Sequence, residues 1–225
     1  MSAARTGLAF TAKVATVIAA FAIGISVALP SQAASGTYDR DVAVAYAKQF
    51  TCNGDDCSNP AFRRLASDCT NFVSQAMAYG GKKMVTSGTQ VWYQSGGGFT
   101  TWTPSWYNVG SMRSFLLQSG KNRASVTTTY TSTLLKTAYT SASAGDLIIY
   151  DWGHGTASWD HLAMVTGFGT YASPYKGMGT GKGDKIAQHS TDRDGAPWNY
   201  GYLTETDGTV RPKMKAAVLH LSPGG

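Results

Sequence analysis

Apolar residues recur every three or four positions in three segments of the chain, residues 38–50, 68–80 and 108–118. This spacing predicts amphipathic helices, each with one face in a core. The positions expected to face inward are, in chain order, Val42, Ala45, Tyr46 and Phe50, then Phe72, Val73, Ala76 and Met77, then Val109, Met112, Phe115 and Leu116. Glycines after the second and third segments favour helix ends at those points.

The second half of the chain changes to short apolar and β-branched runs, which predict strands. The predicted strands are residues 124–129, at a sheet edge, and then 147–151, 161–166, 185–190 and 216–221. Residues 167–183 contain six glycines and predict a mobile loop that forms a rim beside His161. Helices followed by strands predict an α+β domain.

The first 33 residues have the organisation of a secretory signal peptide. Two basic residues precede an uncharged apolar stretch, residues 14–29, which is followed by a small-residue cleavage motif at Ser31 and Ala33. The stretch is shorter than the roughly 20 apolar residues of a spanning helix, so an uncleaved membrane anchor is the weaker alternative. We expect cleavage near Ala33, export, and a mature domain over residues 34–225 without stable membrane insertion.

Composition fits one globular domain, because the 225 residues are 43% hydrophobic and 14% charged. The formal net charge is +6, and it falls to +4 when the two cations of the signal peptide are lost. A mildly basic exported protein is attracted to anionic surfaces such as a bacterial cell wall. Lysine and arginine are adjacent only at positions 63–64 and 82–83, which argues against a nucleic-acid-binding surface.

The chain has three cysteines, an odd number for an exported protein. Cys52 and Cys57 flank a short turn-forming sequence that can bring their Cα atoms within disulfide range. Cys69 is then a free thiol, which is either buried and inert, engaged in an intermolecular bridge, or reactive.

The surroundings of Cys69 favour the reactive alternative. Ser67 or Asp68 is a good N-cap, so Cys69 falls in the first turn of the second predicted helix. The free N–H groups and the positive end of the helix dipole lower the pKa of a thiol there, and they also suit the oxyanion of an attacked carbonyl. A small buried core cysteine is the alternative. We predict that Cys69 is a nucleophile.

A cysteine nucleophile needs a general base and a group that orients the base. His161 opens a predicted strand and is the expected base. His189, or Gln188 in its place, is expected to orient His161, and only one of them can, since adjacent strand residues face opposite sides. His154 is expected at the surface, and His220 is expected to be structural. No tight histidine pair of the zinc-site type occurs, so no metal or cofactor is expected.

Two further segments are expected near this site. Residues 91–107 carry six aromatic residues and form either a loop that packs over the core or a groove wall on which sugar or peptide faces stack. Residues 191–202 form a polar, aromatic loop after His189.

A specific sequence, DCTNFVSQ, covers residues 68–75, and further motifs follow it in order. They are Gly80-Gly81, Trp92-Tyr93, Ser105-Trp106, GDLIIY at 145–150, Asp160-His161 and Gln188-His189-Ser190. Over residues 38–221 this order resembles the putative amidase domain family of bacterial exported proteins.

The resemblance implies a branch of the NlpC/P60- and CHAP-like cysteine hydrolases, with a papain-like α+β core in which N-terminal helices pack on an antiparallel sheet. It implies Cys69 as nucleophile, His161 as base and His189 as the orienting residue. The insert from Cys52 to Cys57 departs from the pattern that we associate with the family.

We therefore expect a secreted, monomeric cysteine amidase, extracellular or associated with the cell wall, that cleaves peptide or amide bonds of bacterial peptidoglycan through a thioester. Three alternatives stay open. They are a peptidase or small-amide hydrolase that does not act on the wall, a non-catalytic wall-binding domain that retains the fold, and a thiol-dependent acyl transferase with the same nucleophile chemistry.

Overall fold

The computed structural model describes residues 37–224 except 55–56, 96–100, 132–134, 136, 138, 155–157, 173–179 and 200–212. Within these residues the chain is a mixed α and β domain whose helices precede most of its strands. The predicted signal peptide lies outside the described residues. Among the described helices, none combines the length and the apolar character that crossing a membrane requires.

Six strands form one antiparallel sheet. They are β3 (Ala124–Tyr130), β4 (Leu147–Asp151), β5 (His161–Ala172), β6 (Thr180–Gln188), β7 (Arg193–Pro197) and β8 (Lys215–Leu221). Their order across the sheet is β3-β8-β4-β5-β6-β7, so β3 lies at an edge as predicted and the last strand, β8, is internal. A separate two-stranded hairpin pairs β1 (Gln94–Ser95) with β2 (Thr101–Trp102).

Four helices occur in the described part of the chain. They are α1 (Arg40–Gln49), α2 (Cys69–Tyr79), α3 (Pro104–Tyr107) and α4 (Val109–Leu116). Helix α4 buries the four residues predicted for it. Helix α2 is buried from Cys69 to Ala78 and packs against α1, α3 and β5, which makes it the central helix of the domain.

Both faces of the sheet are buried. Along β4, Leu147 and Ile149 face the core that contains the helices, whereas Ile148 and Tyr150 face a second core on the opposite side. This alternation is the ordinary period of two along a strand. A strand buried on both faces has no polar side, so the central strands are continuous apolar runs in the sequence.

The inward face of α1 differs from the prediction, which placed Val42, Ala45 and Phe50 there. Ala45 is exposed, and Val42 and Phe50 are only partly buried. The buried residues are Ala43, Val44, Tyr46 and Ala47. A Cβ atom at Gly80 would lie 2.8 Å from Ala43 Cβ, so the close approach of α1 and α2 requires small residues at the contact.

The predicted mobile loop over residues 167–183 is wrong for most of its length. Strands β5 and β6 pair from Gly167 and Lys185 to Ala172 and Thr180, and residues 173–179 lie outside the described residues. Gly167, with φ 135°, follows a register shift between the two strands, so this glycine marks a β-bulge.

The described residues of the predicted rim beside His161, residues 167–172 and 180–183, belong to these two strands. β5 begins at His161 and is 12 residues long. At about 3.3 Å per residue, a strand of this length spans at most about 36 Å. The predicted loop over residues 191–202 is also partly a strand, because it contains β7.

Two tryptophans of the aromatic segment 91–107 pack over the core. The buried rings of Trp92 and Trp106 stack with their centroids 5.1 Å apart. Trp92 Nε1 donates to Ser74 Oγ, and Trp106 Nε1 donates to Asn71 Oδ1, so both indoles are hydrogen-bonded to α2. Phe99 lies outside the described residues.

The predicted disulfide between Cys52 and Cys57 is confirmed, with an S–S distance of 2.05 Å. Beside it, Thr51 Oγ1 donates to the backbone oxygen of Gln188 at 3.0 Å. Asn53 Nδ2 donates to the backbone oxygen of Asp194 at 3.3 Å. The segment after α1 is thereby attached to the end of β6 and to the start of β7.

Asp146, the residue before β4, connects three parts of the fold through its side chain. Its carboxylate accepts hydrogen bonds from Arg40 at 2.5 Å, Ser143 N at 2.9 Å, His220 Nδ1 at 2.5 Å and Leu221 N at 3.0 Å. The carboxylate therefore joins α1, the turn before β4 and the end of β8. The structural role expected for His220 is consistent with this contact.

Candidate active site

The start of α2 meets the sheet where β5 begins and β6 ends. Cys69 is the first residue of α2, and it interacts with His161 and Leu162 at the start of β5. Asp68 occupies the N-cap position, but its side chain makes no capping hydrogen bond. The Asp68 carboxylate therefore leaves the backbone N–H groups of the first turn of α2 unoccupied.

The environment of Cys69 lowers the pKa of its thiol. Burial raises the pKa, because only 2% of the residue is exposed. The charge of His161 and hydrogen bonds from His161, from the Leu162 backbone and from Thr70 lower the pKa by more. The resulting thiol pKa is about 7, against an ordinary value of 9.0. A substantial fraction of Cys69 is therefore thiolate at neutral pH.

Gln188 orients the imidazole of His161. Gln188 Nε2 donates to the Thr191 carbonyl at 2.9 Å, which places Gln188 Oε1 toward His161 because a carbonyl can only accept. His161 Nε2 lies 2.8 Å from that oxygen and must donate to it. The neutral ring then has its lone pair on Nδ1, on the side available to Cys69, where it can accept the thiol proton.

The prediction that His189 orients His161 is wrong, and Gln188, the alternative, occupies that position. His189 follows the last residue of β6 and makes its contacts on the other side of the chain from Gln188. Its Nδ1 lies 2.6 Å from Asp68 Oδ2, and its Nε2 lies 2.6 Å from the Phe50 carbonyl. The structure therefore brings together Cys69, His161 and Gln188, with His189 behind the helix start.

Two aromatic rings beside His161 were not singled out from the sequence. The Trp152 ring stacks on His161 at 5.5 Å between centroids, and the Tyr150 ring lies at 5.8 Å. Tyr150 is the register partner of His161 on β4, and Trp152 follows two residues later, on the same side. The sequence would have identified both residues if the pairing of β4 with β5 had been known. Their rings shield the imidazole from water.

Other predicted positions lie apart from this cluster. His154 is exposed in the loop after β4, as expected. In the part of the chain that the structure describes, no group of three or more His, Cys, Asp or Glu residues is arranged to hold a metal ion. Asp192 is buried and its carboxylate accepts two hydrogen bonds from Arg64, at 2.5 and 2.8 Å, which attaches the segment before α2 to the residues that follow β6.

The fold and the site together define an α+β domain with a candidate nucleophilic cysteine at the start of its central helix. The family model described as "Putative amidase domain" matches residues 37–211, a span that contains Cys69, His161 and Gln188. The chain belongs to this family, in agreement with the resemblance of its sequence motifs. The description of the family suggests the hydrolysis of amides as its reaction class.

One curated relative is the uncharacterised protein YhbB of Bacillus subtilis strain 168. It is 30% identical over 131 residues, which are 57% of this chain. The match covers 37% of the relative, so the chain spans well under half of that protein's length. No solved structure matches the chain.

Proposed function

We propose that this protein is a cysteine amidase in which Cys69 attacks the carbonyl carbon of an amide. The observation that carries the proposal is the contact between Cys69, whose thiol pKa is about 7, and His161, whose tautomer Gln188 fixes. The family membership supports the reaction class, amide hydrolysis.

The proposed reaction has two stages. The Cys69 thiolate forms a bond to the carbonyl carbon, and the backbone N–H of Cys69 stabilises the oxyanion at the helix start. Protonated His161 gives its proton to the leaving amine as the C–N bond breaks, which leaves a thioester. His161 then accepts a proton from water as the water oxygen attacks the thioester, and breaking the C–S bond releases the carboxylic acid and restores the Cys69 thiolate beside protonated His161.

We further propose that the domain is a papain-like cysteine hydrolase related to the NlpC/P60 and CHAP groups. The supporting arrangement is a central helix that begins with the cysteine and packs on an antiparallel sheet whose strand begins with the histidine. The third polar residue is Gln188, one position before the histidine to which the sequence resemblance assigned this role.

The proposed substrate is the peptide portion or an amide link of bacterial peptidoglycan. The net charge of +6, or +4 after signal cleavage, favours association with an anionic wall. The signal peptide predicted for residues 1–33 favours export to the compartment where the wall lies. The proposed location is therefore outside the cell or at the cell wall.

Product analysis tests this substrate. Purified mature protein is incubated with intact sacculi and with isolated muropeptides. The products are separated by chromatography, and their masses are measured by mass spectrometry. We expect new fragments that gain one water for each bond cut, and none with the Cys69→Ala variant. Hydrolysis of other peptides with unchanged sacculi and muropeptides would contradict a wall substrate. Wall binding without any product would contradict the enzyme proposal and favour a binding domain.

Replacing Gln188 by alanine is expected to lower kcat/KM about 10²-fold, because the His161 ring loses the hydrogen bond that fixes its tautomer and direction. The measurement is steady-state kinetics on the substrate that product analysis identifies. Gln75→Ala is the matched control, since Gln75 is also a buried glutamine whose Oε1 accepts a hydrogen bond, from Tyr46 at 2.6 Å. Equal losses of kcat/KM in the two folded variants would show that Gln188 has no specific role.

A further inference from the structure

Asp68 and His189 form a buried hydrogen-bonded pair directly beside the candidate nucleophile. Their side chains are each 1% exposed, and His189 Nδ1 lies 2.6 Å from Asp68 Oδ2. Neither residue has a part in the reaction proposed above. Desolvation of such a pair is costly, and it is offset only where good geometry and further hydrogen bonds satisfy both side chains.

Asp68 anchors the start of α2 through three hydrogen bonds besides the one to His189. Its Oδ1 accepts hydrogen bonds from Leu65 N and from Asn71 Nδ2, both at 2.8 Å. Its backbone N–H donates to Ser190 Oγ at 2.9 Å. With the bond to His189, these contacts hold the residue before Cys69 against the chain that follows β6.

His189 is also held on more than one side. Its Nε2 must donate to the Phe50 carbonyl, which lies 2.6 Å away and can only accept. The hydrogen bond between its Nδ1 and Asp68 Oδ2 then requires one hydrogen between these two atoms. The His189 ring stacks on Phe72, in the same helix as Cys69, with centroids 4.1 Å apart. The ring therefore connects the end of α1, the first turn of α2 and the residue that follows β6.

The Asp68–His189 pair connects the nucleophile to the base through neighbouring residues. Asp68 precedes Cys69, and His189 follows Gln188, whose Oε1 accepts the hydrogen bond from His161. The residues covalently bonded to the pair are therefore Cys69, the nucleophile, and Gln188, which orients His161. The proposed activation of the thiol depends on the distances of Cys69 and Gln188 from His161. His161 supplies the charge that lowers the thiol pKa of Cys69, so a displacement of α2 from β5 would weaken that effect.

We propose that the Asp68–His189 pair is a positioning device that holds Cys69 and the Gln188–His161 pair in register. Asp68 and His189 are positioning residues that act through their neighbours and do not touch the substrate. This inference rests on the proposed function, in which Cys69 is activated by His161.

Two variants of His189 separate the contact to Asp68 from the contact to Phe50. In His189→Asn the side-chain amide nitrogen takes the place of Nδ1 and keeps a donor toward Asp68. In His189→Gln the amide nitrogen takes the place of Nε2, keeps the donor toward Phe50 and loses the bond to Asp68. His220→Gln serves as a control, since it removes a histidine–carboxylate contact at Asp146, away from Cys69.

The measurement is the rate of Cys69 alkylation by iodoacetamide from pH 5 to 9 in the non-reduced mature protein, with the site of labelling mapped by mass. Wild-type protein is expected to react with a midpoint near pH 7, the thiolate forming as the pH rises through the thiol pKa of about 7. His189→Gln is expected to raise this midpoint by about one unit, which lowers the rate at pH 6 about tenfold. His189→Asn and His220→Gln are expected to keep the wild-type midpoint.

The outcomes distinguish the inference from the function on which it rests. A wild-type midpoint near 7 that is unchanged in folded His189→Gln would overturn the positioning role and leave the proposed function standing. A wild-type midpoint that is not lowered from the ordinary thiol value of 9.0 would overturn both. If His189→Gln does not fold, Ser190→Ala takes its place, because it removes only the hydrogen bond from Asp68 N to Ser190 Oγ. We expect Ser190→Ala to raise the midpoint by a smaller amount. No change of the midpoint in Ser190→Ala would overturn the inference.

Discussion

Replacing Cys69 by alanine is expected to lower amide hydrolysis by about 10⁴-fold or more while the protein stays folded. Removal of a covalent nucleophile eliminates the thioester route, and the remaining groups supply only oxyanion stabilisation and binding. Cys69 is small and its sulfur takes no part in the disulfide, so we expect a change in the free energy of unfolding of about 1 kcal/mol. The measurements are product formation and thermal unfolding on the same preparation.

A serine variant sharpens this prediction. Cys69→Ser keeps the size and polarity of the side chain, but the pKa of a serine hydroxyl is far too high for a thiolate-like ion pair with His161. We expect Cys69→Ser to be as inactive as Cys69→Ala, and both to retain substrate binding. Hydrolysis by either variant at a rate near that of the wild type would contradict the cysteine mechanism.

Features that depend on local sequence were predictable. The start of α2 at Cys69 follows from polar residues before an apolar helical repeat, and the end of the helix follows from the glycines after it. The strand that begins at His161 follows from a short apolar run. In each case the deciding residues lie within one or two turns of the element, so the sequence contains the information.

Features that depend on how distant elements meet were not predictable. The choice between Gln188 and His189 is set by which side of the chain faces His161, and both residues are polar and can accept a hydrogen bond. The inward face of α1 is set by its close approach to Gly80, which is about forty positions away in the sequence. Periodicity within a segment carries no information about either contact.

The glycine-rich segment 167–183 shows a different limit of prediction from sequence. Glycine is typical of loops, but here Gly167 and Gly169 lie inside β5, both with positive φ. Positive φ is accessible to glycine at little cost, and glycine therefore also marks bulges in strands. Composition alone does not distinguish the two uses, since both require the same backbone freedom.

Replacing Asp146 by alanine is expected to lower the free energy of unfolding by about 3–5 kcal/mol, the cost of removing one partner from a buried charged network. The Asp146 side chain is 0% exposed, and its four hydrogen-bond donors come from Arg40, Ser143, His220 and Leu221. Without the carboxylate, the two backbone N–H groups lose their acceptor, and the Arg40 guanidinium, which is 31% exposed, loses its ion pair. In a domain of this size, the loss corresponds to a decrease in Tm on the order of 10 °C.

Two comparisons identify the cause of that loss. Asp146→Asn keeps the shape of the side chain but turns an NH₂ group toward donors, so we expect it to be nearly as destabilising as alanine. Asp39→Ala removes an exposed N-cap of α1, whose Oδ1 accepts from Val42 N at 3.0 Å, and is expected to cost about 1 kcal/mol. Asp146 lies at the opposite end of β4 from Tyr150, the partner of His161, so the folded fraction of Asp146→Ala should alkylate at Cys69 with the wild-type pH midpoint. A Tm for Asp146→Ala within 2–3 °C of the wild type, roughly 1 kcal/mol by the same conversion, would show that water replaces the carboxylate and that the network adds little stability.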